Sequence, residues 1–191
     1  MALTAEVLFV NPEYMKRLTN LDGSVDDNTL VPSIILAQDL HIQQLLGTDL
    51  FEKLRSDIAG TDGASLAGDY ETLMDNYVRK ATCWWTMVDL LPSLYVKIEN
   101  GGLVQRNAQN AAPVSADDLH REVERARNNA KFYGQRLSLY LTYNTEKFPE
   151  YHTNTEDKLS PYPQGYDQSG FTVSGTTPFD ELRYITRPPS G

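Results

Sequence analysis

Three histidines and one cysteine are the side chains of this chain best suited to nucleophilic or proton-transfer chemistry, and they are scattered along it. Nucleophilic catalysis needs a nucleophile, a base and an orienting group in contact. His41 falls in the first long helical segment, His120 in the last, and His152 at the junction with the C-terminal tail. Cys83 lies among Trp84, Trp85 and Met87, a setting that suits a buried, inert thiol. His120 and Glu124 share a helix face, but two ligands make no metal site. Asp22, Ser24 and Asp26 alternate like the start of a calcium loop. That loop's glycine is absent and its twelfth position is Ser33 rather than Glu, so capping chemistry is the better reading. Trp84 and Trp85 could stack on a ligand; their place in a helical stripe makes them core. The chain has no phosphate-cradling glycine loop, no dinucleotide fingerprint, no zinc-protease helix, no Cys-x-x-Cys and no Glu-x-x-His pair. These residues support no enzyme, no metal and no cofactor.

Composition sets wider bounds. A length of 191 residues suits one domain plus an appendage, with enough chain to bury a core. A net charge of −9 argues against wrapping nucleic acid, because such binding rests on Lys and Arg neutralising phosphates. An acidic surface would still let a duplex slide past. A single cysteine excludes an internal disulfide. Met1–Val10 has an apolar patch without a basic leader region, and no apolar run approaches the roughly 20 residues that span a membrane. The expectation is a soluble protein, made and used in a cytoplasm, with no membrane partner.

The elements that must position these residues read as helices. Glu6–Val10 is a short apolar run, a strand or an extended arm. Asn11 and Pro12 open a short helix through about Leu18. Asp27, Asn28 and Thr29 are candidate N-caps for the next helix, which places Pro32 in its first turn. On a 3.6-residue wheel Leu30, Ile34, Ala37 and Leu45 form one apolar stripe, and Ile35, Ile42 and Leu46 a second about a quarter-turn away. Such a helix needs neighbours on more than one side. Gly47 ends it, and Thr48 is placed to cap a third helix carrying Leu50, Phe51, Leu54 and Ile58 as far as Gly60. After the connector Gly60–Gly68, a long helix carries Tyr70, Met74, Tyr77, Ala81, Trp84, Trp85 and Val88 on one face. Pro92 should kink or break it, with Ser93–Glu99 resuming for two turns. Asn100–Val114 reads as a polar loop that protrudes from the body. Ser115 and Asp118 make a capping-box-like start to a last helix with Leu119, Val123, Ala126, Ala130, Tyr133, Leu137 and Leu141 in one stripe. Phe132 and Leu139 fall opposite that stripe, where they predict a second contact surface. The fold class is all-α, a bundle of five helices near 12–18, 29–46, 48–59, 69–98 and 115–144, with an extended C-terminal arm that holds short β-prone pieces. The domains are an N-terminal extended segment 1–10, a helical domain 11–151 and a partner-binding arm 152–191.

The arm, His152–Gly191, holds five of the ten prolines and no helical period. Ordering it costs on the order of 1–2 kcal/mol per residue, with little core of its own to offset that. Its apolar residues come in separate clusters: Tyr162 and Tyr166, then Phe171 and Val173, then Phe179, Leu182, Tyr184 and Ile185. Isolated anchors of this kind suit pockets on a partner or the edge of a sheet.

The run Val25–Leu54, VDDNTLVPSIILAQDLHIQQLLGTDLFEKL, resembles the opening of the head–tail connector (adaptor) proteins of tailed bacteriophages, especially the crAss-like group. The asparagine-rich loop with its NGGLVQ start is similar to that family more loosely, over Asn100–Leu141. The resemblance implies a structural virion protein assembled in the host cytoplasm: a homo-oligomeric ring, usually of about 12 copies, that sits beneath the portal, extends the DNA channel and joins capsid to tail. Its partners would be other copies, the portal protein and the next tail or ring protein, with DNA only as passing cargo. Leu103, Gln105, Arg106, Asn107, Gln109 and Asn110 are then the residues expected to face the channel or the next ring. Two other readings stay open. One is a helical adaptor working outside any virion; the other is a DNA-packaging protein with a helix-turn-helix at Thr29–Ile58, which the acidic balance disfavours.

Overall fold

The computed structural model describes residues 6–60, 65–99, 102–105, 115–155 and 159–162. Helix α1 is Pro12–Leu18, capped by the Asn11 side chain, which accepts from the Tyr14 N–H. Helix α2 spans 27–46 as an α-helical stretch Asp27–Ala37, a π-helical turn Gln38–Ile42 and a last α-helical turn Gln43–Leu46. Helix α3 is Thr48–Ala59. Helix α4 spans 68–95 and is built in the same way, from Gly68–Leu73, a π turn Met74–Val78 and Arg79–Tyr95. Strands β1 (Val96–Glu99) and β2 (Gly102–Gln105) pair antiparallel, Val96 opposite Gln105, and helix α5 is Ala116–Tyr143. The architecture is the all-α bundle of five helices that the periodicity predicts, with one small β-ribbon added.

Helix α4 is the centre of the core. Leu73, Met74, Val78, Ala81, Cys83 and Leu90 are fully buried along it, with Trp85, Met87 and Val88 nearly so. Its buried Thr82 and Thr86 satisfy their hydroxyls on the carbonyls four residues back, at 2.8 Å each. Helix α5 lies antiparallel to it. Tyr77 stacks on Tyr140 with ring centroids 4.1 Å apart, and Tyr70 meets Phe148 edge-on at 5.4 Å. Ala126, Ala130, Leu137 and Leu141 form the buried face of α5, as its stripe requires.

Apart from Ile35, which lies before the π turn and stays half-buried outside the core, the two apolar stripes of α2 turn out to be one surface. The Gln43 N–H donates to the Gln38 carbonyl, an i→i+5 bond, so this turn holds one residue more than an α-helical turn. That rotates Ile42, Leu45 and Leu46 onto the side already buried by Leu30, Ile34 and Ala37, and all six are fully buried within this chain. The expected need for neighbours on several sides is met by α4, α5 and the N-terminal segment. The π turn also brings Gln38 inside, where it is 2 % exposed. Its Oε1 accepts from the Phe9 N–H at 2.8 Å and its Nε2 donates to the Val7 carbonyl at 3.1 Å. Arg79, just past the π turn of α4, donates through Nε to the Phe9 carbonyl at 3.1 Å. Among the described residues Glu6–Val10 forms no strand and is a non-helical segment held against the body. Gln38 and Arg79 take its backbone groups, and Phe9 packs on Phe51 with rings 5.0 Å apart.

Four boundaries differ from the sequence reading. The N-cap of α2 is Asp26, whose side chain accepts from the Asn28 N–H, so Pro32 lies inside the helix rather than in its first turn. Gly47, not Thr48, is the N-cap of α3. Pro92 is accommodated within α4, but the helix ends at Tyr95; the expected helical turns over Val96–Glu99 are strand β1 instead. Val96 and Ile98 are β-branched and favour a pleated backbone once a partner strand is present. That partner, Gly102–Gln105, occupies part of what reads as loop. Ser115 caps α5 as expected, accepting from the Asp118 N–H at 3.1 Å.

Candidate functional site

The arm begins on the helix corner between α2 and α3. Helix ends leave carbonyls and N–H groups without partners, and two such ends meet here. Gly47 makes the turn between them at φ 76°, ψ 160°, a conformation essentially confined to glycine. The first N–H of α3, on Thr48, donates to the Leu159 carbonyl at 2.9 Å. The Gln44 carbonyl, in the last turn of α2, accepts from the Tyr162 N–H at 2.7 Å. Pro161 lies between these bonds, against Gly47. Asp49, in the first turn of α3, holds the chain before it. Its Oδ2 accepts from Thr153 Oγ1 at 2.8 Å, Thr155 N–H at 3.0 Å and Thr155 Oγ1 at 2.8 Å. A carboxylate here also faces the positive end of the α3 dipole.

Of the expected arm anchors, Tyr162 is placed by these contacts, with its side chain 70 % exposed. Tyr166, Phe171, Val173, Phe179, Leu182, Tyr184 and Ile185 lie outside the described residues. Of the expected channel-loop residues, Leu103 and Gln105 belong to strand β2, and Arg106, Asn107, Gln109 and Asn110 lie outside the described residues. Sequence reasoning missed Asp49, Thr153 and Thr155. The only local signal was an acidic residue in a helix's first turn; nothing in the spacing joins it to threonines a hundred positions later.

Apolar side chains remain uncovered on two helices. On α2, Leu36 and Leu40 are each 47 % exposed. On α5, Phe132, Leu139 and Tyr143 are exposed, the first two where the helical wheel put a second contact surface.

The histidines and the cysteine stand in separate surroundings among the described residues. His41 stacks on Trp85 with centroids 3.9 Å apart, and its Nε2 lies 3.6 Å from Asp89 Oδ2. Cys83 sits two residues from Trp85 on the same helix, about 200° around the axis, away from that imidazole. Burial pushes its thiol up to about 12, against a smaller opposing effect of Arg79, so it holds its proton at neutral pH. His120 and Glu124 are both exposed on α5, and Glu124 pairs with Arg127 instead. Among the described residues no three His, Cys, Asp or Glu side chains converge as metal ligands, and no helix is long and apolar enough to cross a membrane.

A family model matches residues 42–159, from the π turn of α2 to the Leu159 carbonyl that meets Thr48. The chain belongs to DUF6712, a family of unknown function. No curated protein and no solved structure matches it. The matched stretch contains the corner, the central helix pair and the first part of the arm.

Proposed function

We propose that this DUF6712 protein is a structural component of a tailed-phage virion, a head–tail connector whose copies form a ring beneath the portal and continue the DNA channel. The identity rests on the resemblance of Val25–Leu54 and Asn100–Leu141 to that family. The observation that carries the assembly half of the reading is the second apolar stripe of α5, Phe132, Leu139 and Tyr143, which the chain's own core leaves exposed. A helix with one stripe in the core and another facing outward is built to meet a second body. In a ring that body is the next copy, contacted head to tail. The acidic balance suits a channel that lets DNA pass, and the arm offers a reach beyond the domain. In this role the protein is not an enzyme and needs no cofactor.

The helix-turn-helix alternative finds little support at the corner. Lys53 pairs with Asp57 at 2.5 Å and Arg55 approaches Glu6 at 3.9 Å, so the basic residues of α3 are already engaged by acids. The arm occupies the start of α3, where a recognition helix presents its base-reading residues.

The test is Phe132→Glu with Leu139→Glu. Both sites are already exposed, so the helical circular dichroism should be unchanged and the melting temperature within a few degrees. The parent protein should form a multimer visible by electron microscopy, and the variant should not. A variant that forms rings as the parent does removes α5 from the interface and the reading loses its main support.

A further inference from the structure

We infer that the exposed face of α2 formed by Pro32, Leu36 and Leu40 is the docking strip for this same chain's arm just beyond Tyr162, so that residues 163–171 strap α2 before the rest of the arm leaves the domain.

The direction of the arm carries the argument. Its contacts step backwards through the corner. Thr155 meets Asp49, Leu159 meets Thr48, Pro161 meets Gly47 and Tyr162 meets Gln44. The next exposed positions along α2 at helical spacing from Gln44 are Leu40, Leu36 and Pro32, one apolar side chain per turn. Leu36 and Leu40 are each 47 % exposed, and the chain arrives one turn away from Leu40 already bonded to the helix end.

Lengths agree with this path. From Gln44 back to Asp27 the helix rises about 26 Å at about 1.5 Å per residue. Extended chain covers at most about 3.3 Å per residue, so the four residues from Tyr162 to Tyr166 can span up to about 13 Å, enough to reach Leu40 and Leu36. Nine residues, to Phe171, can span up to about 30 Å, enough to pass the start of the helix. Tyr166 is the first large apolar residue after Tyr162, and a tyrosine suits a strip that is apolar beneath and wet at its edge. A strap of this length would leave Phe179–Ile185 for a partner. The strap does not depend on the connector reading, and either can fail without the other.

The experiment is cysteine cross-linking in the full-length chain, with Leu40→Cys paired to Tyr166→Cys and, separately, to Leu182→Cys. A short bis-maleimide is added to a mixture of unlabelled and 15N-labelled protein, and cross-linked peptides are read by mass spectrometry. Native Cys83 is fully buried and stays unlabelled. The strap predicts efficient 40–166 cross-links in peptides that are wholly light or wholly heavy, at several-fold the yield of the 40–182 pair. Mixed light–heavy peptides would show that a second copy's arm occupies the strip. Equal yields from the two pairs would show that no register exists, and absence of any 40–166 product that the arm goes elsewhere; each overturns the inference.

Discussion

Pro161 closes directly over Gly47. A Cβ placed on the glycine would lie 2.7 Å from Pro161 Cδ, inside any real contact distance. The helix corner thus has two reasons to keep glycine, its own backbone conformation and the proline seated on it. The arm supplies the missing partners of both helix ends at the same place, so corner and arm stabilise each other.

Gly47→Ala should therefore lose on both counts. The backbone conformation alone costs on the order of 1–3 kcal/mol for a residue with a Cβ. Displacing Pro161 adds the loss of the two flanking backbone bonds. Urea unfolding should show a drop of at least about 2 kcal/mol, part of which Pro161→Gly recovers by removing the clash. An unchanged midpoint would mean that the corner is not held in this conformation.

Truncation separates the anchored part of the arm from the rest. A chain ending at Tyr162 keeps the contacts of Asp49, Thr48 and Gln44; one ending at Tyr151 loses all of them. Both should remain helical by circular dichroism. The shorter should melt lower, by an amount comparable to several net hydrogen bonds at about 1 kcal/mol each. Equal stability of the two would show that the corner contacts contribute nothing.

Gln38→Leu tests the π turn. The substitution keeps an apolar-compatible volume but strips the Phe9 N–H and the Val7 carbonyl of their buried partners. An unsatisfied buried group costs about 1–3 kcal/mol, so a loss of about 2 kcal/mol is expected. Hydrogen exchange at Phe9 should accelerate while α5 amides stay protected. Parent-like exchange at Phe9 would place that segment elsewhere.

Tyr70 predicts an alkaline limb. Its hydroxyl donates to Glu150 Oε2 at 2.7 Å, and burial first, then this bond to a carboxylate, hold its proton well above the usual value. Unfolded tyrosine ionises near about pH 10. Below that pH both states keep the proton and the contribution is complete. Above it the unfolded chain releases its proton first, so stability falls as pH rises towards the folded-state value. Tyr70→Phe should flatten the loss of stability above about pH 10 relative to the parent. An identical alkaline slope would contradict the assignment.

Much of the bundle is legible in the chain because local chemistry agrees with the final packing. Asn11 and Pro12 mark the start of α1, Gly60 the end of α3, and Ser115 with Asp118 the start of α5. What could not be read depends on partners distant in sequence. Gln38 turns inward because Val7 and Phe9 need backbone partners, and nothing at position 38 announces an i→i+5 turn. Reading α2 as a regular helix splits its buried face into two stripes. Val96–Glu99 continues a helical pattern until Gly102–Gln105 offers it a strand. Asp49 finds Thr153 and Thr155 only through the fold.

The central claim is that copies of this chain form a ring that joins a portal. Native mass spectrometry of the purified full-length protein, alone and mixed with its portal, tests it most directly. The account predicts a closed multimer of one defined copy number, formed alone or on the portal, and a complex in which that multimer is retained. A protein that stays monomeric in both samples, with the portal's mass unchanged, would contradict it.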